Sequence, residues 1–454
     1  MKEIIQLQIG QCGNQIGNNF WKTISDEHGV NSLGQVYGSS DVQLDRINVY
    51  YRETPSKTYV PRAMLMDLEP GTLDSVGGGC CKSMFRQENF ICGVTGAGNN
   101  WAKGYQAGGV EMFNRILNTI RLEAENCDTL QGIQVAHSLG GGTGSGLGSR
   151  LMQGIRQLYP KQLVCTFSVA PSPKVSDTIV EPYNALLAMD RLIQDAHIVH
   201  LMDNSALFDS CVGPLNLPTP TYGDLNHLVS QTMSGVTTGF RFAGLGRQQQ
   251  VNDDMKTLTT NLVPFPELHF FTSGLAPLTY RTQTVSAGFP PCGVRDIVAR
   301  LADVKNLSVS YDESRYLTAA VVFRGDRELC PDEIAKHVRC GNLAEFVDWI
   351  PDNLKTAVYP GVPSHGLKTS GTIMANSTAV KGVFQRILAQ YSLMMNRRAF
   401  LHLYAEQGLE VSDFQQAEEH VQTLIADYLE YENMNHQETA KNSFHNDTKL
   451  IKHN

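Results

Sequence analysis

The sequence predicts an α/β protein built on a doubly wound parallel sheet, and three observations lead there. Short apolar runs alternate with helix-period stretches through the first third of the chain. Two glycine clusters fall where a strand passes into a helix, which is where such sheets bind ligands. The chain has 454 residues, of which 42% are hydrophobic and 18% charged, enough for two or three domains with buried cores.

Taken in order, Ile4 to Ile9 predicts a short apolar strand running into Gly10-Gln11-Cys12-Gly13 and a helix from Asn14 to Ile24. Arg62 to Leu68 predicts a second buried strand and Gly132 to Leu139 a third. Gly140 to Gly146 follows, then a helix from Leu147 to Leu158 and a strand from Leu163 to Val169. Leu225, Leu228, Val229, Met233 and Val236 share one helical face, predicting a helix over Asp224 to Phe240. A mixed α/β region runs from about Phe240 to Asn376, with strands predicted at Leu268–Thr272, Leu317–Arg324 and Gly371–Met374. Val380, Val383, Phe384, Ile387, Leu388 and Tyr391 form an apolar stripe. A second helix carries Phe414, Val421, Leu424, Ile425 and Tyr428, with Ser412 and Gln415 as its capping box. Apolar periodicity stops near Asn433, so the tail is predicted to be disordered.

Composition excludes several classes. A net charge of −8 speaks against generic nucleic-acid binding. The start carries Lys2 and Glu3 and lacks an apolar core, so no signal peptide is expected. No apolar run approaches membrane-spanning length. Ten cysteines without a CxxC pair predict reduced thiols, with neither a disulfide framework nor a zinc site.

Ser138-Leu139-Gly140-Gly141-Gly142-Thr143-Gly144-Ser145-Gly146 is the strongest local signal. Its glycines let backbone N–H groups converge on an anion, and the following helix directs its positive end there. The Walker A lysine is absent. A flexible turn is the alternative, though a turn rarely needs such glycine density between strand and helix. The loop Gly10 to Gln15 fits a second part of one phosphate site, and fits a tight turn equally well. Asp67-Leu68-Glu69-Pro70-Gly71-Thr72 offers two carboxylates for Mg²⁺, or else a helix N-cap with solvated acids. Gly96-Ala97-Gly98-Asn99-Asn100 is a further turn able to close over phosphate. Asp177 and Glu181 can accept from ribose hydroxyls, Asn204 and Asn226 can read a purine edge, and Tyr222 can stack on a base. Each of these five alone also matches an ordinary polar or packed residue.

These motifs, with Val175 to Thr178, Glu181 to Asn184 and Pro218 to His227, resemble the tubulin family, in order from Met1 to about Asn433. The start Met1-Lys2-Glu3-Ile4, the short Leu367–Ala379 stretch and Val263 to Pro266 resemble the β type. The resemblance implies a GTP-binding domain over 1–206 and an intermediate domain over 207–376, with a core helix at about 224–240. C-terminal helices over 377–432 and a tail over 433–454 complete the chain. It implies GTP or GDP with Mg²⁺. Gln11, Cys12, Asn99, Ser138, Gly140, Gly141, Gly142, Thr143 and Gly144 would surround the phosphates, and Glu69 would hold the metal. Asp177 and Glu181 would meet ribose, and Asn204, Tyr222 and Asn226 guanine. The implied partners are α-tubulin in a head-to-tail heterodimer polymer, lateral β-type neighbours, motors and associated proteins, in the cytoplasm and its cytoskeleton. No nucleic acid and no membrane are implied. In that family a Glu of the next α subunit positions the attacking water, so this chain alone should hydrolyse GTP poorly. Thr257 stands where α-tubulin carries that Glu, and a hydroxyl is no general base near neutral pH.

The sequence also departs from the family. Gly244 to Val251 is longer than usual and precedes the longitudinal loop. Tyr280 to Arg295 carries Gly288, Pro290, Pro291 and Gly293 in place of the usual lateral loop, which predicts altered polymer geometry. The tail has three lysines against two acids, so it lacks the negative field that attracts basic partners. Gly239 replaces a Cys beside the colchicine pocket. Two other readings stay open: a homopolymer-forming relative using Asp253 or Asp254, and a non-polymerising adaptor. A dinucleotide oxidoreductase does not fit, because Gly10, Gly13 and Gly17 do not make GxGxxG.

Overall fold

The computed structural model describes residues 2–38, 40–77, 82–106, 109–176, 178–244, 253–279, 293–311, 314–325, 329–340, 345–362 and 367–434. Asp177, most of the long segment before the longitudinal loop, the core of the divergent lateral loop at 280–292 and the tail beyond 434 lie outside the described residues.

Among the described residues, a ten-stranded sheet organises the chain, with a separate two-stranded hairpin of Tyr51–Glu53 and Tyr59–Pro61. Its strands are β1 (Glu3–Ile9), β2 (Ala63–Asp67), β3 (Phe90–Cys92), β4 (Leu130–Ser138) and β5 (Leu163–Ala170). They continue with β6 (Ile198–Asp203), β7 (Phe270–Ala276), β8 (Tyr316–Gly325), β9 (Leu354–Pro360) and β10 (Thr369–Ser377). Across the sheet the order is β9-β8-β10-β7-β6-β5-β4-β1-β2-β3. From β3 to β7 every pairing is parallel, whereas β10 runs antiparallel to both β7 and β8. The second region therefore continues the first region's sheet, joined through Val199 opposite Phe270 and His200 opposite Phe271.

Side chains along each strand alternate between two cores. Ile5, Leu7 and Ile9 face one layer with Met64, Met66, Ile133 and Val135. Ile4 faces the other with Ala63, Leu65 and Ala136. The first layer is covered by α2 (Gly148–Leu158), α3 (Glu181–Asp195), α5 (Val380–Met395) and α6 (Val411–Asn433). The second is covered by α1 (Gly10–His28) and α4 (Tyr222–Val236). A third, smaller core lies around β8 and β10 with Ile297, Leu301, Ile334 and Val338.

The structure shifts several expected boundaries. Helix α1 begins at Gly10 and absorbs the first glycine loop, because the positive φ of Gly10, +73°, turns the chain out of β1 without a separate loop. The core helix stops at Val236, and Thr238–Arg241 forms a separate turn. Strand β7 begins two residues later than expected and runs on to Ala276. The last helix is capped by Glu410 and Asp413 instead of Ser412 and Gln415. Glu410 N–H donates to Asp413 Oδ2 at 2.8 Å, which places Ser412 already inside α6. Among the described residues, no helix is long and apolar enough to cross a membrane.

Candidate nucleotide site

The order of strands locates the site. From β1 the chain moves outward through β2 to β3; from β4 it moves the other way through β5 to β6. Adjacent strands β1 and β4 thus flank a topological switch point, where connections leave in opposite directions and open a crevice at the strands' C-terminal ends. The glycine loops follow these two strands.

They meet closely. Gly10 has φ +73°, and a Cβ there would lie 2.9 Å from the backbone nitrogen of Gly144. Gly142 approaches the 96–100 turn so nearly that a Cβ would lie 2.6 Å from Ala97 Cβ and 2.8 Å from Asn100 N. Thr143–Leu147 forms one π-helical turn leading into α2. His137 supports this turn from behind. Its Nδ1–H donates to Gly144 O at 2.9 Å, and its Nε2 accepts from Ser168 Oγ at 2.8 Å, which fixes the tautomer.

Between the loops lies a cavity of about 510 Å³, within the range of nucleotide-sized pockets, ~300–1,000 Å³. All the predicted site residues except Asp177, which lies outside the described residues, line it: Gln11, Cys12, Glu69, Asn99, Ser138, Gly140 to Gly144, Glu181, Asn204, Tyr222 and Asn226. Gly10, Gln15, Asp67, Thr72, Ala97, Gly98, Val169, Pro171 and Ser176 complete the wall. The signal that could have added Val169, Pro171 and Ser176 is their position at the C-terminal end of β5. His137 and Asn184 lie behind the wall; Asn184 falls within the Glu181–Asn184 motif, but no local pattern gives either residue a role there.

The wall combines the glycine backbone of 140–144, the carboxylates of Asp67 and Glu69, the amides of Asn204 and Asn226 and the ring of Tyr222. Asn226 donates to Gln15 Oε1 at 3.1 Å, linking α4 to α1. Tyr222 is exposed on the rim, and its hydroxyl donates to Val175 O at 3.0 Å. Asp203 caps the helix Asn204–Val212 by accepting from Ser205 N–H at 3.1 Å, which sets Asn204 on the wall.

Charge on the wall is negative or absent. Among the described residues it carries no Lys, Arg or His. Burial pushes the Asp67 carboxyl up, against hydrogen bonds from Glu69 N–H, Thr72 and Leu68 N–H. Burial likewise pushes Glu181 up, opposed by the Ser176 hydroxyl, which donates at 2.6 Å. The Cys12 thiol is pushed up to about 12 by burial and stays a neutral wall group. A buried carboxylate with no cationic neighbour on the wall, next to an exposed one, is a hard-oxygen donor set. Asp67 and Glu69 fit Mg²⁺, provided phosphate oxygens and water complete its shell.

Two family models match the chain. The Tubulin/FtsZ family GTPase domain matches residues 3–212, and the tubulin C-terminal domain matches residues 266–389. This chain belongs to the Tubulin/FtsZ family. The first match spans β1 to β6 and all but the α4 side of the cavity, and the second spans β7 to β10 and most of α5. A GTPase fold of a cytoskeletal family thus carries the switch-point cavity, and guanine-nucleotide binding goes with it.

Proposed function

We propose that this chain is a β-type tubulin-like subunit that binds GTP with Mg²⁺ in the switch-point cavity and assembles head to tail with an α-tubulin-like partner. Gln11, Cys12, Asn99, Ser138 and Gly140 to Gly144 cradle the phosphates. Glu181 and Asp177 take the ribose, and Asn204, Tyr222 and Asn226 take the guanine. Glu69, with Asp67 behind it, would hold Mg²⁺, which supplies charge neutralisation between the phosphate oxygens. The chain's own residues orient the nucleotide through backbone N–H groups and the helix N-terminus beyond the glycine loop.

The observation that carries hydrolysis in trans is the missing water-positioning group. The helix Met255–Leu262 places Thr257 in its first turn, with its N–H bonded to Asp254 Oδ1 at 2.6 Å. The acids that a homopolymer reading needs are already engaged. Asp254 is buried and pairs with Lys2, while Asp253 Oδ2 lies 3.2 Å from Arg46 Nη2. This chain therefore serves as acceptor of a partner's catalytic acid and not as donor of one.

The test is GTP turnover and electron microscopy of the purified chain, alone and with an α-tubulin partner. Slow turnover that rises with polymer on adding the partner is expected. Fast turnover with filaments from this chain alone would replace the heterodimer reading with the homopolymer one.

A further inference from the structure

Asn184 lies in the first turns of α3, fully buried, and touches the cavity only from behind. Its amide makes four hydrogen bonds. Nδ2 donates to Asn99 O at 2.7 Å and to Gly140 O at 2.8 Å. Oδ1 accepts from Trp101 N–H at 2.9 Å and from the Tyr404 hydroxyl at 2.7 Å. Two donors and two acceptor lobes are the full capacity of a side-chain amide. The orientation is forced as well. Carbonyl oxygens only accept and a backbone N–H only donates, so a flipped amide would lose three of the four bonds.

The bonded groups belong to separate segments. Asn99 is in the 96–100 turn, Gly140 opens the glycine loop, and Trp101 starts the following helix. Tyr404 lies in the short helix His402–Ala405 between α5 and α6. Tyr404 packs with Tyr183, Phe414 and their neighbours, with ring centroids 5.5 Å apart in both the Tyr183–Tyr404 and Tyr404–Phe414 pairs. Tyr183 donates to Ala399 O at 2.9 Å, tying the same turn of α3 to the same C-terminal segment.

We propose that Asn184 is a positioning residue: its amide sets the gap between the 96–100 turn and the glycine loop, and Tyr404 locks that amide from the C-terminal helices. The inference rests on the proposed nucleotide site and extends it to a residue that touches no nucleotide. A carboxylate in the same place keeps the acceptor side but turns an oxygen towards two carbonyls. An alanine leaves all four groups unpaired behind the cavity.

The experiment is displacement of a fluorescent GTP analogue by GTP from full-length wild type, Asn184→Ala, Asn184→Asp and Tyr404→Phe, with thermal midpoints alongside. Asn184→Ala and Asn184→Asp are expected to bind GTP at least tenfold more weakly than wild type near neutral pH. Asn184→Asp, and not Asn184→Ala, should regain affinity on acidification, because a protonated carboxyl can again donate to one carbonyl. The titratable groups around it are Tyr183, Tyr404 and Glu181; both phenols are raised by burial, and all three are common to both variants. Tyr404→Phe removes one hydroxyl and keeps the fold testable if the Asn184 variants fail to fold; its expected loss is two- to tenfold. Variants that fold and bind GTP within twofold of wild type, whatever their thermal midpoints, overturn the inference, as does an Asn184→Asp profile that parallels Asn184→Ala. A wild-type chain that takes up no GTP overturns the proposed function and this inference with it.

Discussion

Single side chains behind the cavity decide how firmly its loops are held, and His137 shows how such a residue acquires a pH signature. Burial holds its pKa at about 4, against the hydrogen bond to Gly144 O, which acts to raise it. Above the ordinary histidine value of 6.5 the ring is neutral folded and unfolded, so it contributes no pH dependence. Below that value the unfolded chain takes up a proton that the folded chain refuses until about pH 4. Stability therefore falls with acid across this window, by ~1.4 kcal/mol per pH unit for such a group. His28 and His200, lowered by burial to about 4 and about 3, act in the same direction. His137→Gln should be less stable than wild type at pH 7, and the gap should narrow by about 2 kcal/mol at pH 5. Denaturant titrations at the two pH values measure it, and a gap of constant size would show that His137 does not titrate in this way.

Elements are held to one another by a buried ion cluster that joins three of them. Glu27 on α1 meets Arg241 of the Thr238–Arg241 turn at 2.7 Å and Arg324 of β8 at 2.8 Å, and all three side chains are almost wholly buried. Ser234 of α4 donates to Glu27 Oε1 at 2.7 Å. Burial alone would raise the Glu27 carboxyl, but Arg324, Arg241 and the Ser234 hydroxyl pull it down to about 2. Its stabilising contribution is complete above the ordinary value of 4.5 and is lost as pH falls towards 2. Glu27→Ala leaves two guanidiniums buried without a counter-ion, a cost of ~3–5 kcal/mol. Urea unfolding at neutral pH gives the number, and a loss under ~1 kcal/mol would mean that water replaces the carboxylate. Nothing in the sequence announced this cluster, since Glu27, Arg241 and Arg324 are far apart along the chain. The parallel strands and glycine loops were legible because apolar runs and backbone-permissive residues leave local patterns. Strands β3, β6 and β9 were not read. β3 is three residues long, and His200 and Lys355 interrupt the apolar runs of β6 and β9. Most cavity residues named from motifs converge because they follow a strand's C-terminal end, with Tyr222 and Asn226 brought in on α4, whereas Asn184 and His137 act through contacts formed only by folding.

At the scale of the whole molecule, the C-terminal helices are fastened to the nucleotide domain at two places around the cavity. Asn184 and Tyr404 make the join behind the glycine loop and the 96–100 turn. At the ends of β5 and β6, Arg386 of α5 forms a bidentate pair with Asp203, both N–O distances being 2.8 Å, and also donates to Pro171 O at 3.0 Å. Asp203 ends β6 and caps the helix that begins with Asn204, and Pro171 follows β5 on the cavity wall. One guanidinium therefore braces two strand ends and one cap from the outer helical layer. Lysine cannot reproduce this, because an ammonium on a flexible stem lacks the planar fork that matches a carboxylate. Arg386→Lys should cost about 2 kcal/mol, the scale of a charge-assisted hydrogen bond lost from a partly buried pair. It should also speed tryptic cleavage at Lys381, Arg397 and Arg398, in and just after α5, relative to cleavage elsewhere. Saturating GTP should recover part of the stability, because a ligand that binds only the folded chain draws the equilibrium back towards it. Thermal midpoints and timed proteolysis with and without GTP measure both effects. Cleavage that accelerates equally throughout the chain would mean that the brace stabilises the fold as a whole and does not couple the helical layer to the nucleotide site.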